Sequence, residues 1–392
     1  MIGFSEAIGL IETGVGALET EVTAIDQAYG RVLREDLLAR SDAPAAPVAA
    51  MDGYAVNSAA LAEHMGFAVV AEARAGGARR LHIGKGEAAR IFTGAMLPEG
   101  ADMVIMQEYA RLEQGRVWFA SGHGPARHIR EAGSDFTRGT VLVPAGTCID
   151  ARQLVLCAAA DRAEITVSRR ARVAILATGD ELAAPGCAHG RPGTIPESIS
   201  LPIAGMAESH GASLVGRKIV PDDRVRLAEA ADALLQVSDL LIVLGGASVG
   251  DRDYSKEVLQ ELGLELIFSK VAIKPGKPVW FGRAGPRAVL GLPGNPTSAM
   301  VTATLFLPCL LARLHGADRV EPWQTLRLAE ALPRTGMRET FVRAIRQGDE
   351  VAPLDNQSSA AQLAMARADR LIRCPAGQQA LPPGTPVQTI PF

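Results

Sequence analysis

The spacing of hydrophobic positions changes several times along the chain, and these changes divide it into segments. Leu240 to Leu244 is an unbroken apolar run, and Val173 begins another that ends in a Thr-Gly-Asp-Glu turn. Such runs are typical of strands buried on both faces of a parallel sheet. Around them, apolar residues recur at helical spacing over 198–210, over 224–237 and from Tyr254. This alternation predicts a doubly wound α/β domain.

Short apolar runs separated by glycine occupy two other regions. From Phe67 to Val143 they predict a β-rich domain, and from about Ala317 they predict a small β-barrel or sandwich. Helical spacing over Phe4–Ile11, with Ser5 as a possible N-cap, and again from Thr23, predicts a helical segment that the helix 150–163 rejoins. The predicted fold is α/β multidomain: a helical linker domain (1–38 plus 139–168), an inserted β-rich domain (39–138), a central doubly wound α/β domain (169–316) and a C-terminal small β-barrel (317–392).

Composition narrows the class of protein. Of 392 residues, 48% are hydrophobic and 21% charged, which suits a globular chain with a real core. The net charge of −3 and the lack of a long basic run predict no nucleic-acid partner. Five cysteines without C-x-x-C spacing indicate a reducing compartment and neither a zinc site nor a disulfide framework.

Nothing in the sequence predicts export or membrane insertion. No Lys or Arg precedes Arg31, so a signal peptide would lack its charged start. The most apolar helix candidate, Ala299–Leu311, contains Pro308 and is too short to span a bilayer. We therefore expect a cytoplasmic protein with no membrane partner.

The loop after Leu240–Leu244 combines glycine with carboxylates, in the residues Gly245, Gly246, Ser248, Gly250, Asp251 and Asp253. Glycine lets backbone N–H groups approach an anion, and aspartates can hold a hard cation that bridges to it. This pattern suits a phosphorylated ligand with Mg²⁺. A glycine turn with a solvated acidic tip explains the loop alone equally well. Two further acidic loops, Asp180-Glu181 and Asp222-Asp223, are expected at neighbouring strand ends, partly as helix caps.

Three lysines lie within K-V-A-I-K-P-G-K-P. If 270–274 is extended, Lys270 and Lys274 point the same way, and the Pro275-Gly276 turn then brings in Lys277. This predicts a rigid anion socket, whereas the alternative is a solvated, lysine-rich edge strand.

Two more motifs are candidates for ligand contacts. G-L-P-G-N-P, 291–296, precedes a helix that begins near Thr297, and the free N–H groups of a helix start can bind an anion. M-D-G-Y-A-V places the Asp52 carboxylate beside glycine before an apolar strand. In each case an ordinary turn is the competing interpretation.

In order along the chain, seven motifs resemble those of the molybdopterin molybdenumtransferases, the MoeA proteins, which are related to the E domains of gephyrin and the plant Cnx proteins. They are M-D-G-Y-A-V, I-F-T-G-A-x-x-P-E-G-A-D, R-x-x-G-x-D, A-T-G-D-E-L, G-G-A-S-V-G-D-x-D-Y, A-I-K-P-G-K-P and G-L-P-G-N-P. The resemblance implies a MogA/MoaB-like central domain and a homodimer with its active site between subunits. It implies insertion of molybdate into adenylylated molybdopterin, with release of AMP and formation of molybdenum cofactor.

The resemblance also implies roles for individual residues. The catalytic residues would be Asp52, Thr93, Asp135, Glu181, Asp222, Asp253, Lys270 and Lys274, and Mg²⁺ would be held by Glu181, Asp251 and Asp253. The ligand contacts would come from the loop that begins at Gly245, from the G-L-P-G-N-P loop and from the oxyanion pocket. They are Gly245, Gly246, Ser248, Gly250, Lys277, Pro293, Gly294, Asn295, Pro296, Arg343 and Ser359. Lys274, Lys277, Arg343 and Ser359 would form the oxyanion pocket. Possible partners are a MogA-like adenylyltransferase and recipient molybdoenzymes.

The sequence departs from the family pattern at Ile199, Ser134 and Ala361, where asparagine, glutamate and arginine are usual. These departures leave open a non-catalytic module that binds molybdopterin or a partner protein. A pyrophosphate hydrolase on the same α/β domain is a third hypothesis, although the K-P-G-K-P motif argues against it.

Overall fold

The computed structural model describes residues 1–63, 66–77, 80–245, 254–317 and 323–392. They form two compact units. The first comprises Met1–Glu35, Ala145–Arg152 and Glu164–Phe392, and the second comprises Asp36–Pro144 and Gln153–Ala163. The finer division into four domains stays a prediction.

The first unit is built on a central six-stranded sheet. Its strands lie in the order Ser213–Val220, Arg172–Thr178, Leu240–Leu244, Arg287–Leu292, Trp280–Ala284 and Leu264–Phe268. The first four strands are parallel, and the last two pair antiparallel. All residues of Leu240–Leu244 are buried, as the unbroken apolar run predicts.

Successive residues of the strand Arg172–Thr178 face opposite layers of helices. Val173 and Ile175 pack in one core with the helices Phe4–Gly14, Ser200–Ser209 and Pro296–His315. Ala174 and Leu176 pack in a second core with the helices Arg224–Val237 and Ser255–Glu261. Helices on both faces of a mostly parallel sheet confirm the doubly wound prediction.

The helix Pro296–His315 has 20 residues and is longer than the predicted Ala299–Leu311. By length and composition it could cross a membrane, which corrects the expectation that it is too short. Its most apolar window is 78% buried inside the unit, so the helix serves as a core element here. It is called the long helix below.

The C-terminal region of the first unit is a closed five-stranded barrel, as predicted. Its strands are Gln324–Leu328, Glu339–Gln347, Glu350–Pro353, Arg370–Cys374 and Pro386–Pro391. The short strand Ile273–Lys274 pairs in parallel with Glu339 and Thr340 at the edge of this barrel. The helix Gln362–Arg367 precedes the fourth barrel strand.

The second unit is β-rich, as predicted. Its six-stranded sheet has the order Met103–Met106, Gly53–Val56, Glu87–Ile91, Phe67–Ala73, Arg116–Phe119 and Ala110–Glu113. Two small ladders join Val48–Ala49 to Ile129–Arg130, and Leu37–Leu38 to Val141–Val143. Most of the helix Ala151–Ala159 belongs to this unit and ends before the predicted residue 163.

Two predictions near the N-terminus are wrong. Gly3, not Ser5, is the N-cap of the first helix. The predicted helix from Thr23 is instead the strand Thr20–Ala24, which pairs with Glu164–Ser168 and leads into a single 3₁₀ turn. Its β-branched residues suit a ladder, and the partner strand is distant in sequence, so the local helical spacing was misleading.

Candidate functional site

Three adjacent parallel strands bring their carboxyl ends together in the central sheet. Thr178 is the last residue of one of these strands, Gly245 directly follows the second, and Gly294 comes two residues after the third. Gly245 has φ +87°, and a Cβ there would lie 2.7 Å from the Thr178 carbonyl oxygen. A Cβ at Gly294 would lie 3.3 Å from the Gly245 Cα. Glycine is therefore required for this close approach, at the edge where open α/β sheets bind ligands.

The acidic residues at this edge are largely used by the protein itself. The Thr178 hydroxyl donates to the Asp222 carboxylate at 2.6 Å, and the Asp222 N–H donates to the Asp180 carboxylate at 3.0 Å. Asp223 caps the helix Arg224–Val237, as expected of at least one of these acids, by accepting from the Arg226 N–H at 2.9 Å. The predicted meeting of the 180 and 222 loops is confirmed.

Glu181, predicted as a metal ligand, is exposed near this edge. Gly246, Ser248, Gly250, Asp251 and Asp253 lie outside the described residues. Among the residues that the structure does describe, no group of three or more His, Cys, Asp or Glu side chains could hold a metal ion.

The G-L-P-G-N-P segment forms the start of the long helix. Asn295 is its N-cap without a side-chain cap bond, and Pro296 is its first residue. The Asn295 Oδ1 and Thr297 Oγ1 atoms are buried without a hydrogen-bond partner in the described part of the chain. Buried polar atoms are normally paired, so this helix start, with its free N–H groups and unpaired side-chain oxygens, is a candidate ligand site. Pro293 is buried beside it.

The lysine segment shows the predicted alternation. Lys270 and Lys274 are exposed, while Val271 and Ile273 are fully buried. However, the Ile273 N–H donates to the Val271 carbonyl at 2.9 Å, so only Ile273–Lys274 is a strand and 270–274 is not continuously extended.

The turn between the lysines fits tightly against the long helix. Gly276 has φ +102°, and a Cβ there would lie 2.1 Å from the Thr302 Cγ2 atom. The Val279 N–H closes the turn on the Gly276 carbonyl at 3.0 Å. No other residue fits at this position without a shift, so the turn fixes where Lys274 and Lys277 begin.

Lys274, Lys277 and Ser359 line one cavity of about 1110 Å³, which we call the lysine cleft. Ser298, in the first turn of the long helix, lines it too, whereas Lys270 does not. The lysine cleft is formed by 274–278, Ser298, 330–338, 340–342, 353–355, 357–359 and Cys374. None of its cationic side chains pairs with a carboxylate within the described part of the chain.

Arg343, predicted as an oxyanion ligand, lies outside the lining of the cleft. It is only 1% exposed, and its guanidinium donates to the carbonyls of Asn356, Ser358 and Ala361 at 3.1, 3.0 and 3.3 Å. Burial lowers the pKa of this guanidinium from its ordinary value. The structure therefore places Arg343 beneath the 356–361 loop, where it holds the loop that carries Ser359.

Sequence reasoning missed Ser298, Arg334 and Arg338, which the structure adds to the cleft. The available signal was P-R-T-G-M-R, 333–338, in which two arginines flank a Thr-Gly turn. Nothing in that motif alone shows that it faces the lysines.

In the second unit, Asp52 and Thr93 form a direct pair. The Thr93 N–H and hydroxyl donate to one Asp52 carboxylate oxygen at 2.8 and 2.7 Å. The backbone donor, and then the hydroxyl, hold the pKa of Asp52 below its ordinary value. Gly53 is required beside them, because a Cβ there would lie 1.9 Å from the Ile105 carbonyl oxygen. Asp135 is exposed, and its N–H donates to the Ala43 carbonyl at 3.0 Å.

Of the departures from the family pattern, Ile199 has a clear structural role. It is 7% exposed and packs in the core that contains the long helix. The neighbouring Glu197 is buried, and its carboxylate accepts from the N–H groups of Ile199 and Ser200 at 2.7 and 2.8 Å and from the Ser200 hydroxyl. Glu197 thus accepts hydrogen bonds from N–H groups at the start of the helix Ser200–Ser209 and caps it.

Three family models match the chain. The MoeA N-terminal region (domain I and II) matches residues 2–160, a probable molybdopterin binding domain matches 174–312, and the MoeA C-terminal region (domain IV) matches 325–392.

Named relatives match this chain over most of its length. The molybdopterin molybdenumtransferase of Nostoc sp. is 35% identical over 83% of this chain and 76% of its own length. That of Haemophilus influenzae is 33% identical over 87% of this chain and 86% of its own length. The crystal structure of the molybdopterin biosynthesis MoeA protein from Pyrococcus horikoshii OT3 shares the fold, with a TM-score of 0.88 at 24% identity over 100% of both chains. The chain therefore belongs to the MoeA family of molybdopterin molybdenumtransferases.

Proposed function

We propose that this protein inserts molybdate into adenylylated molybdopterin, releasing AMP and forming molybdenum cofactor. The observation that carries the proposal is the lysine cleft, in which Lys274 and Lys277 face a ligand-sized space without a carboxylate partner in the described residues. Unpaired cations on either side of a rigid turn suit a dianion such as molybdate. The relatives named molybdopterin molybdenumtransferase support the same reaction.

The start of the long helix lies beside the lysine cleft. Asn295 and Pro296 begin the long helix, and Ser298 in the same turn lines the lysine cleft. A phosphate at the free N–H groups would therefore be near an oxyanion held by the lysines. Positioning two reactants in this way, with charge neutralisation, supplies most of the catalysis in this proposal.

Mg²⁺ is the proposed metal, with Glu181, Asp251 and Asp253 as its ligands. The described donors at the sheet edge are carboxylate and hydroxyl oxygens, which suit a hard cation. When bound, the metal would neutralise the phosphate bridge.

The remaining proposals follow from family membership. We place Asp52, Thr93 and Asp135 in the reaction as polar groups that orient the substrate, with a homodimer as the working form in the cytoplasm. A MogA-like adenylyltransferase would supply the substrate, and molybdoenzymes would receive the product.

Release of AMP from adenylylated molybdopterin, measured with and without molybdate, tests the proposal. We expect release only when molybdate and Mg²⁺ are both present. Release without molybdate would instead support a pyrophosphate hydrolase, and binding without release would support a non-catalytic module. Asp253→Ala should keep the fold and abolish Mg²⁺-dependent release, so wild-type turnover in that variant would contradict the metal assignment.

A further inference from the structure

One arginine of the second unit contacts the backbone next to the Asp52–Thr93 pair. Arg90 lies on the strand Glu87–Ile91, which pairs antiparallel with the strand Gly53–Val56 that follows Asp52. It forms no salt bridge with a carboxylate in the described part of the chain. Its hydrogen bonds go instead to groups that hold the backbone at Asp52.

The guanidinium of Arg90 acts on two successive backbone carbonyls. One of its nitrogens donates to the Gly53 carbonyl at 2.9 Å, and another donates to the Gln107 side-chain oxygen at 2.6 Å. The Gln107 N–H in turn donates to the Asp52 carbonyl at 3.1 Å. The carbonyls of Asp52 and Gly53 are therefore held, one by Arg90 and the other by the residue that Arg90 binds.

Two aromatic rings fix the position of Arg90 itself. Its guanidinium carbon lies 5.2 Å from the centre of the Tyr54 ring and 4.7 Å from the centre of the Phe92 ring, which permits cation–π attraction to both. Tyr54 comes two residues after Asp52, and Phe92 directly precedes Thr93. The same guanidinium thus contacts the segments that carry both members of the pair.

The Asp52–Thr93 pair uses one oxygen of the carboxylate. Both Thr93 donors bind Oδ1, and Oδ2 has no hydrogen-bond partner among the residues that the structure describes. Oδ2 is therefore available to accept a hydrogen bond from a ligand, in a direction that the backbone of Asp52 and Gly53 determines.

We propose that Arg90 is a positioning residue for the reaction, which fixes the Asp52–Gly53 peptide so that the free carboxylate oxygen of Asp52 meets a donor group of the substrate. This inference rests on the proposed function, because Asp52 orients the substrate there. Arg90 acts through Asp52 and need not touch the substrate itself.

Arg90→Met removes the charge and both hydrogen bonds but keeps a side chain of similar length. Because a small misplacement of an orienting group lowers the rate, kcat for AMP release should fall by about tenfold or more. The KM for molybdate should stay near the parent value, since the lysine cleft belongs to the first unit. Arg90→Lys keeps a cation but lacks the planar fork, so it should recover only part of the loss.

The matched control is Arg74→Met. The guanidinium carbon of Arg74 lies 5.1 Å from the centre of the same Phe92 ring, but its hydrogen bond goes to the Glu72 carboxylate at 2.6 Å. We expect parent kinetics for this variant. A loss of rate that Arg74→Met shares would show a general effect of the arginines on this ring and would overturn the assignment.

A double-mutant cycle shows whether Arg90 acts through Asp52. Asp52→Asn should lower kcat by itself, and adding Arg90→Met should then lower it little further. Losses that multiply, or parent turnover in Asp52→Asn, would overturn the positioning role. If thermal unfolding shows that Arg90→Met is poorly folded, Arg90→Lys takes its place in the same cycle.

Carboxyl-carbon NMR titration of Asp52 tests the contact without turnover. The Thr93 N–H, the Thr93 hydroxyl and the Arg90 charge, in decreasing order, hold the pKa of Asp52 below its ordinary value. That pKa should rise in Arg90→Met and stay at the parent value in Arg74→Met.

The outcomes separate the two claims. If the parent releases AMP and Arg90→Met releases it equally fast, the assignment of Arg90 is overturned while the proposed function stands. If the parent itself releases no AMP, the proposed function fails, and the titration alone then decides whether Arg90 acts on Asp52: an unchanged pKa in Arg90→Met would overturn that too.

Discussion

The lysine cleft and the carboxyl edge of the central sheet differ in whether their charged side chains already have partners within the protein. In the cleft, Lys274 and Lys277 have no carboxylate partner in the described residues. At the sheet edge, the Asp222 carboxylate already accepts from Thr178, and Asp223 is used as a helix cap. The comparison teaches that the cationic groups of the cleft remain available for the proposed anion, whereas the described acids at the sheet edge mainly hold loops in place.

Arg343 and Arg338 show the same contrast, because Arg343 is buried beneath a loop whereas Arg338 lines the cleft. Arg343→Ala would remove a buried side chain and its bonds to three carbonyls, and should lower the free energy of unfolding by about 3 kcal/mol or more. Arg338→Ala should lower it by less than about 1 kcal/mol, since that side chain is partly exposed and makes one long bond. Urea denaturation of both variants measures this, and equal losses would remove the distinction between a buried structural arginine and one that lines the cleft.

The turn that separates Lys274 and Lys277 can be distorted by a substitution that keeps both lysines. Gly276→Ala should destabilise the fold by about 1–3 kcal/mol, because alanine is strained at φ +102° and its Cβ would meet Thr302. Molybdate affinity should fall as well. Thr302→Ser, which removes Cγ2 and keeps the hydroxyl bonds to the Ser298 and Ala299 carbonyls, should relieve the clash but leave the backbone strain.

Thermal or denaturant unfolding of Gly276→Ala with and without Thr302→Ser decides between these causes. Partial recovery in the double variant is expected. An unchanged stability and an unchanged molybdate affinity in Gly276→Ala would contradict a rigid turn.

The smallest effect is expected at Asp52. Its pKa is held below the ordinary value, first by the Thr93 N–H and then by the Thr93 hydroxyl. The stabilising contribution of Asp52 is therefore present above the ordinary carboxylate pKa and is lost as the pH falls through the lower folded pKa. Thr93→Val keeps the backbone donor, so the pKa of Asp52 should rise only part of the way to its ordinary value.

Carboxyl-carbon NMR titration of the parent and Thr93→Val measures that pKa. An identical titration in the two proteins would show that the hydroxyl bond contributes nothing to the ionisation of Asp52. A return to the full ordinary pKa would show that the hydroxyl, and not the N–H, is the main donor.

The spacing of hydrophobic residues correctly predicted features that depend only on neighbouring residues in the chain. The unbroken run Leu240–Leu244 is a fully buried strand, and the lysine segment alternates between exposed and buried positions as expected. The strand Thr20–Ala24 was missed because its partner, Glu164–Ser168, is far away in sequence.

The candidate site was predictable as a set of motifs but not as a set of available side chains. Arg338 and Arg343 are five positions apart on the sequence, and only the barrel determines that one lines the cleft while the other is buried beneath a loop. In the same way, the spacing of Lys270 and Lys274 suggested a shared site, but the backbone bond from Ile273 to Val271 breaks the extended segment and only Lys274 lines the cleft.

The account depends most on the claim that the unpaired lysines bind the oxyanion. Titration calorimetry of the parent, Lys274→Ala and Lys277→Ala with molybdate, and with adenylylated molybdopterin, tests it directly. Each charge-assisted contact should contribute about 1.5–3 kcal/mol, so each variant should bind molybdate at least about tenfold more weakly. Binding of the pterin should fall less, because the start of the long helix offers it further donors. Parent-like molybdate affinity in both variants would contradict the account and leave the lysines as a solvated edge of the barrel.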